Sequence, residues 1–168
     1  MDAFEAMSKR RSVRKYRTGA ISREQLSQIV NAGRLAPSGR NEQPWEFVVI
    51  TNEATLRKIA HLCENARFAG DVSACVVVLC RPTTYYIEDG SAATTQMLIA
   101  ATALGLASCW IAGDKKPYAS QIVALCEAPP EYRLVSLVAL GHGAESPNPT
   151  KRPLGEVVHW ESFKHSAG

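Results

Sequence analysis

The sequence lacks both glycine-rich motifs, GxGxxG and GxxxxGK(S/T), with which many chains surround nucleotide phosphates. Their absence excludes a Rossmann dinucleotide fingerprint and a P-loop. If this chain binds a phosphate, other residues must supply the donors.

The cysteines lack the spacing of a metal site or a redox motif. The sequence contains no CxxC pair, and no histidines stand at ligand spacing from the cysteines. Each cysteine lies in an apolar stretch, so we expect buried, reduced thiols and a reducing compartment, the cytoplasm. The cysteines are Cys63, Cys75, Cys80, Cys109 and Cys126.

Signals for export and for membrane insertion are also missing. The N-terminus has no apolar region of the kind that a signal peptide requires. Residues 90–113 carry no charge, which is long enough to raise the question of a membrane span. Ser91, Thr94 and Gln96 make this segment too polar, so we expect a buried helix followed by a strand, and no membrane partner.

The amino-acid composition is that of an ordinary globular domain. Hydrophobic residues make up 46% and charged residues 21% of 168 positions, so we expect one domain over residues 1–168. The net charge of +3 is uneven, because residues 9–23 contain seven basic residues and no acid. Such a run is compatible with a solvated face, a nucleic-acid patch or a phosphate site. No aromatic-interleaved pattern or known binding module accompanies it, so we expect no nucleic-acid partner.

Periodicity predicts alternating helices and strands in one mixed sheet flanked by helices. The first helix, over residues 2–9, would turn Phe4 and Met7 inward, and Ser22 begins the second helix with a capping box. Residues 74–80 are apolar on both faces, as expected of a central strand. The small residues of the long helix over 87–104 predict that it is buried or lies at a subunit contact. The other predictions are strands over 45–50, 106–111 and 134–140, the last stopped by Gly141, and helices after Asn52 and over 118–126.

Two clusters of cations could serve one anionic ligand. Arginine offers a planar fork of donors that matches phosphate, and a serine adds a short donor. The first cluster is Arg10, Arg11, Ser12 and Arg14; Arg11 could also face water. The second is Lys151-Arg152, in the segment between Pro149 and Pro153. Taken by itself, this pair would also suit an exposed basic loop.

Three further segments combine turns with polar side chains. Residues 37–45, Pro-Ser-Gly-Arg-Asn-Glu-Gln-Pro-Trp, suit a turn that ends a helix, but a plain turn does not need this set of amide and aromatic side chains. Asn65 precedes the central strand and could equally be an exposed helix cap. Residues 110–113, Trp-Ile-Ala-Gly, end a predicted strand.

Taken together, these segments resemble the nitroreductase family over about residues 8–160. The resemblance implies an α+β fold: a three-layer α/β/α sandwich with a mixed central sheet, forming an intertwined homodimer. It also implies bound FMN at the dimer interface, and NADH or NADPH as co-substrate.

The resemblance assigns roles to individual positions of this chain. Arg10, Ser12 and Arg14 would bind the flavin phosphate, ribityl chain and pyrimidine edge, and Lys151 and Arg152 would close over the phosphate. Positions in the turn over residues 37–45 would lie on the flavin of the other subunit. Asn65 would pair with the pyrimidine edge. The strand end over residues 110–113 would run under the ring, with a backbone N–H near flavin N5. The loop positions are Pro37, Ser38, Gly39 and Asn41, and those of the strand end are Trp110, Ile111, Ala112 and Gly113.

The implied activity is that of an FMN-dependent oxidoreductase. Hydride from NAD(P)H would reduce the flavin, and a nitroaromatic, quinone or similar small-molecule acceptor would then take the electrons at the same ring face, giving ping-pong kinetics. Phe68 and Ala112 depart from members that carry Lys and Glu there. The alternatives are a flavoenzyme of the same fold with other chemistry (a dehydrogenase, dehalogenase or flavin-fragmenting enzyme) and a non-catalytic FMN-binding or basic nucleic-acid-binding protein. No residue is expected to act as a nucleophile, and no metal is expected.

Overall fold

The computed structural model describes residues 1–163; residues 164–168 of the expected domain lie outside it. The helices are α1 Ala3–Lys9, α2 Arg23–Arg34, α3 Glu53–Leu62, α4 Tyr86–Ala103 and α5 Ala119–Leu125. The strands are β1 Tyr16–Arg17, β2 Trp45–Ile50, β3 Ala74–Cys80, β4 Ala107–Ala112 and β5 Arg133–Gly143. Short 3-10 helices cover Gly39–Asn41, Glu64–Gly70 and Leu154–Glu156.

The strands form one sheet with β3 and β5 at its centre. β5 pairs with β1, β3 and β4, and β3 also pairs with β2. All of these pairings are antiparallel, and the one parallel link in the part of the chain described is the bridge between Ser12 and Ser108. The sheet is therefore mixed only through that bridge. Sequence alternation does not reveal strand direction, because direction depends on which strand each one pairs with.

The central strand β3 carries the two cores of the molecule, one on each face. All seven of its side chains are buried, as the sequence predicts. Alternate residues face opposite ways, so Cys75, Val77 and Leu79 pack with α3 and α5, while Val76 and Val78 pack with α2 and α4. Helices thus cover both faces of the sheet, and the predicted α/β/α sandwich is confirmed.

The long helix α4 lies directly on the sheet. At Gly90, an added Cβ would stand 2.7 Å from Val135 Cγ2 and 3.0 Å from Cys80 Sγ, so only glycine allows this close approach. One turn later, the Thr94 hydroxyl lies 2.7 Å from the Ser136 hydroxyl in a fully buried hydrogen bond. The predicted buried position of this helix is confirmed.

The predicted helix starts are confirmed by their caps. The Ser22 hydroxyl accepts from the Gln25 N–H at 3.1 Å, and the Gln25 side chain accepts from the Ser22 N–H, which forms the capping box at α2. Asn52 Oδ1 accepts from the Thr55 N–H at 3.0 Å and begins α3. These local bonds satisfy donors that a helix leaves unpaired.

Two sequence predictions are wrong in detail. Phe4 and Met7 do not turn inward: Phe4 is 84% exposed, because α1 buries only its Ala6 side against the chain's own core. Gly141 does not stop the last strand, since β5 continues to Gly143. An added Cβ at Gly141 would stand 2.6 Å from the Tyr16 ring, so this glycine serves the packing of a side chain on the strand.

Among residues 1–163, no helix combines the length and apolar character needed to cross a bilayer.

Candidate functional site

A cavity of about 430 Å³ opens at the side of the sheet that α3 and α5 cover. Its walls come from the second half of β4, the Glu64–Gly70 turn and the start of α5, together with Arg14. The volume is within the range of about 300–1,000 Å³ that small-molecule sites usually have. The lining residues are Arg14, Leu62, Glu64, Asn65, Ala66, Phe68, Cys109, Trp110, Ile111, Ala112, Lys116, Pro117, Tyr118 and Gln121.

Three of the predicted segments meet in this cavity. Arg14 comes from the basic motif, Asn65 from the turn before the central strand, and residues 110–112 from the end of β4. They are up to about a hundred positions apart in the chain. The fold therefore gathers cation, amide and strand-end groups that the sequence analysis assigned to one ligand.

The basic motif reaches the cavity because it runs beside β4. Ser12 forms the parallel bridge with Ser108, and the Val13 N–H donates to the Ser108 carbonyl at 3.0 Å. The Arg14 N–H donates to Glu145 Oε1 at 2.7 Å, which fixes the following residue of the motif. This pairing places the Arg14 side chain on the cavity wall.

The charges of the basic motif act on the thiol of Cys109, which lies in the cavity wall. Burial raises the pKa of the Cys109 thiol, while the positive charges of Arg14 and Arg10 and a hydrogen bond with Ser12 act in the lowering direction. Of the motif's residues, Arg14 lines the cavity, and Ser12 is held beside β4 by its bridge with Ser108.

Tyr118 holds the end of β4, which forms one wall of the cavity. Its hydroxyl donates to the Ala112 carbonyl and also lies at the Cys63 thiol. Burial, with a smaller effect from Cys63, raises the pKa of Tyr118 to about 12. The hydroxyl therefore stays protonated at neutral pH and can hold the end of β4 in place.

Arg11 does not line this cavity. Its guanidinium donates to the Ser8 carbonyl at 2.7 Å, to the Arg10 carbonyl at 2.9 Å and to Asn148 Oδ1 at 3.2 Å. These bonds cap the end of α1 and tie it to the segment after β5. Three of the guanidinium donors of Arg11 are thus used in contacts within the chain.

The second cationic pair lies in an exposed segment. Lys151 and Arg152 are not among the residues that line the cavity. The Arg152 guanidinium donates to the Glu156 carbonyl at 2.9 Å and pairs with the Glu156 carboxylate at 3.3 Å. Within one chain, the structure does not bring this pair to the other predicted residues.

The loop of residues 37–43 lies on the opposite side of the sheet, against the start of α4. The Ser38 hydroxyl accepts from the Gln43 N–H at 3.1 Å, and Gly39 packs against the Tyr85 ring. Arg40 and Asn41 have left-handed backbone angles, with φ of 53° and 57°. This backbone is uncommon for residues other than glycine, and surrounding contacts must hold it. The predicted loop residues Pro37, Ser38, Gly39 and Asn41 do not line the cavity of their own chain.

A buried carboxylate holds that loop, and sequence reasoning missed it. Asp89 on α4 is 3% exposed, and its Oδ1 accepts from the Gly39 N–H at 2.9 Å. Its Oδ2 has no hydrogen-bond partner among residues 1–163. In the sequence, Asp89 stands beside Glu88 in the first turn of α4, where acids are common, so no local pattern marks it as buried.

Gly113 lies just behind the cavity wall. An added Cβ there would stand 2.7 Å from the Val135 backbone carbonyl. The chain therefore needs glycine at this point so that the turn after β4 can pass close to β5.

The lining residues that sequence reasoning did not assign to the site include four that follow β4: Lys116, Pro117, Tyr118 and Gln121. They belong to the turn after β4 and to the start of α5. The charged Asp-Lys-Lys-Pro sequence of residues 114–117 was a possible signal, but it reads as an ordinary exposed turn.

The cavity suits an aromatic ring with a polar edge, such as the flavin of FMN. Phe68, Ile111 and Leu62 supply apolar contact, while the Asn65 amide offers both a donor and an acceptor. Arg14 adds a positive charge beside them. The residues that line the cavity therefore fit such a ring.

Comparison with known proteins agrees with this interpretation. The sequence model of the Nitroreductase family matches residues 7–81 and 81–142. A protein of Methanothermobacter thermautotrophicus called "Putative NADH dehydrogenase/NAD(P)H nitroreductase" is 30% identical over 169 residues, covering 97% of this chain and 88% of the relative.

Solved structures share the fold over almost the whole chain. An FMN-dependent nitroreductase of Clostridium difficile superposes with a TM-score of 0.89 at 26% identity, covering 95% of this chain and 99% of the other. A nitroreductase of Bacteroides fragilis with bound FMN gives 0.76 at 26% identity, covering 98% of each chain. The chain therefore belongs to the Nitroreductase family.

Proposed function

We propose that this chain is an FMN-dependent oxidoreductase that takes hydride from NADH or NADPH and reduces nitroaromatics, quinones or similar electron-poor small molecules. The observation that carries the proposal is the convergence of Arg14, Asn65 and residues 110–112 on one cavity. Membership of the family and the FMN-containing relatives support the same cofactor.

Bound FMN would supply the redox chemistry, accepting hydride from the nicotinamide and passing electrons to the acceptor. The chain's own residues bind and orient. The Asn65 amide is suited to pair with a pyrimidine edge, and the backbone of Ala112–Gly113 can present an N–H beside the ring. The Arg14 guanidinium stabilises negative charge that develops near it.

The phosphate contacts are part of the proposal. Arg10 and Ser12 precede the cavity-lining Arg14 by four and two residues, and they would donate to phosphate oxygens. Lys151 and Arg152 would join them if the exposed C-terminal segment folds over the ligand, and Arg11 would contribute by holding the motif on α1. Trp110 and Ile111 would form the floor under the ring.

We also propose an intertwined homodimer in which the loop at Pro37, Ser38, Gly39 and Asn41 lies on the flavin of the partner. The loop's distance from its own cavity supports this arrangement. Large apolar side chains are exposed on α1 and on the C-terminal segment, and surfaces of this kind usually mark interfaces. Phe4 is 84% and Trp160 85% exposed.

The five free cysteines support a reducing, cytoplasmic location as part of the same proposal.

Steady-state kinetics test the proposed mechanism. Because both substrates would use one cavity in turn, initial velocities measured against NAD(P)H at several fixed acceptor concentrations should give parallel double-reciprocal lines. Intersecting lines would show that both substrates bind together, and the shared-cavity mechanism would be abandoned. Light scattering tests the dimer, since a stable monomer with full FMN content would contradict it.

A further inference from the structure

A second groove, of about 660 Å³, runs between α3 and α5. It adjoins the cavity described above, because Leu62 and Gln121 line both. The cavity and the groove therefore form neighbouring parts of one surface depression. The groove is lined by Ala54, Arg57, Lys58, His61, Leu62, Gln121, Ala124 and Leu125.

The two charged side chains that line the groove, Arg57 and Lys58, are both basic. Arg57, Lys58 and His61 stand along the α3 side, whereas α5 contributes no charged residue. No carboxylate is among the lining residues. Such an arrangement favours an anionic ligand.

The cations of the groove are not all used within the chain. Arg57 forms an exposed ion pair with Glu53 on its own helix, which leaves other donors of its guanidinium available. Lys58 has no ion pair among residues 1–163. Its ammonium group can therefore bind a ligand without breaking an existing contact.

The floor of the groove is apolar. Ala54, Leu62, Ala124 and Leu125 contribute hydrocarbon, with the Gln121 amide at the end that meets the cavity. An apolar surface beside a row of cations suits a ligand that combines a flat base with phosphate groups.

We propose that this groove binds the adenosine end of NADPH and that its cations recognise the 2′-phosphate, so that NADPH is preferred over NADH. The inference rests on the proposed function, which requires the nicotinamide to lie in the cavity. The rest of the dinucleotide must then leave the cavity, and the groove that shares Leu62 and Gln121 offers an adjoining path. NADH lacks the 2′-phosphate and would offer no such group to Lys58 or to the remaining donors of Arg57.

Calorimetric titration of the FMN-loaded protein tests the groove without turnover. The probes are adenosine 2′,5′-bisphosphate and adenosine 5′-monophosphate, and the variant is the double change Arg57→Gln and Lys58→Gln. We expect the bisphosphate to bind at least tenfold more tightly than the monophosphate, and the double variant to lose that difference. The control, Arg34→Gln, removes an exposed cation from α2 on the opposite face of the sheet. This variant should keep the difference in affinity between the two nucleotides.

The proposal is overturned if the two nucleotides bind the native protein equally, or if their difference survives in the double variant. A second readout is the ratio of kcat/KM for NADPH to that for NADH, which should fall at least tenfold in the double variant; an unchanged ratio would also overturn it. If neither dinucleotide reduces bound FMN, the proposed function is wrong. If NADH reduces the flavin but adenosine 2′,5′-bisphosphate does not bind, only the proposed role of the groove is wrong.

Discussion

The buried Asp89 carboxylate accepts a hydrogen bond from the backbone N–H of Gly39, with 2.9 Å between Oδ1 and N. The two residues are 50 positions apart in sequence. This bond joins the start of α4 to a loop whose residues Arg40 and Asn41 have left-handed backbone angles. The loop's shape therefore depends on a charge buried beneath it.

Replacing Asp89 by alanine should destabilise the protein and the loop together. A buried hydrogen bond to a charged group contributes about 1.5–3 kcal/mol, so we expect urea denaturation to show a loss of that order. Asp89→Asn keeps an acceptor oxygen for the Gly39 N–H and should lose much less. Equal losses in the two variants would show that the bond to Gly39 is not what stabilises this region.

Replacing Arg10 by alanine should weaken FMN binding at least tenfold. Loss of an arginine–phosphate contact costs about 1.5–3 kcal/mol, which corresponds to that change in affinity. Fluorescence titration of the apoprotein with FMN measures it. The matched control is Arg23→Ala, an exposed arginine at the start of α2, which should bind FMN as the native protein does. Unchanged affinity in Arg10→Ala would remove this residue from the site.

A methyl group at Gly90 should destabilise the sandwich. It would meet Val135 Cγ2 at 2.7 Å and Cys80 Sγ at 3.0 Å, and overpacking of this kind typically costs about 1–3 kcal/mol. Gly155→Ala is the control, because nothing lies within 4 Å of an added Cβ there. The midpoint of urea unfolding should fall for the first variant and stay near the native value for the second. A native midpoint for Gly90→Ala would mean that α4 can move away from the sheet without cost.

Alkaline pH should destabilise the fold partly through Cys80. Burial, assisted by the negative charge of Asp89, raises the pKa of Cys80 from 9.0 to about 12. The folded state keeps a proton that the unfolded thiol loses, so this contribution is complete below about pH 9 and is lost as pH rises toward 12. In Cys80→Ala, the fall of the unfolding free energy between pH 9 and 11 should be shallower than in the native protein. An identical slope would contradict a buried, protonated Cys80.

Much of the fold could be predicted because it follows from local patterns. The apolar run of residues 74–80 becomes β3 with the predicted bounds, and Ser22 caps α2 as expected. The exposure of Phe4 could not be predicted, because the burial of a short amphipathic helix depends on which surface covers it. The antiparallel pairings were also hidden, since they depend on long-range partners.

The site was partly predictable for the same reason. The sequence motifs identified Arg14, Asn65 and residues 110–112, and the fold brings them together. Lys116 and Gln121 join them only because α5 packs beside α3, and no local pattern reports that packing. Contacts of the loop with a partner's flavin, and of Lys151 and Arg152 with phosphate, stay predictions.

The most direct test of the central claim is an anaerobic titration of the purified protein with NADH and with NADPH, followed by absorbance. The account predicts that the protein carries FMN without a covalent bond and that the oxidised flavin absorbance is bleached by one equivalent of dinucleotide per flavin. Addition of a quinone or nitroaromatic should then restore the absorbance. A colourless protein that does not take up FMN, or a bound flavin that neither dinucleotide bleaches, would contradict the account.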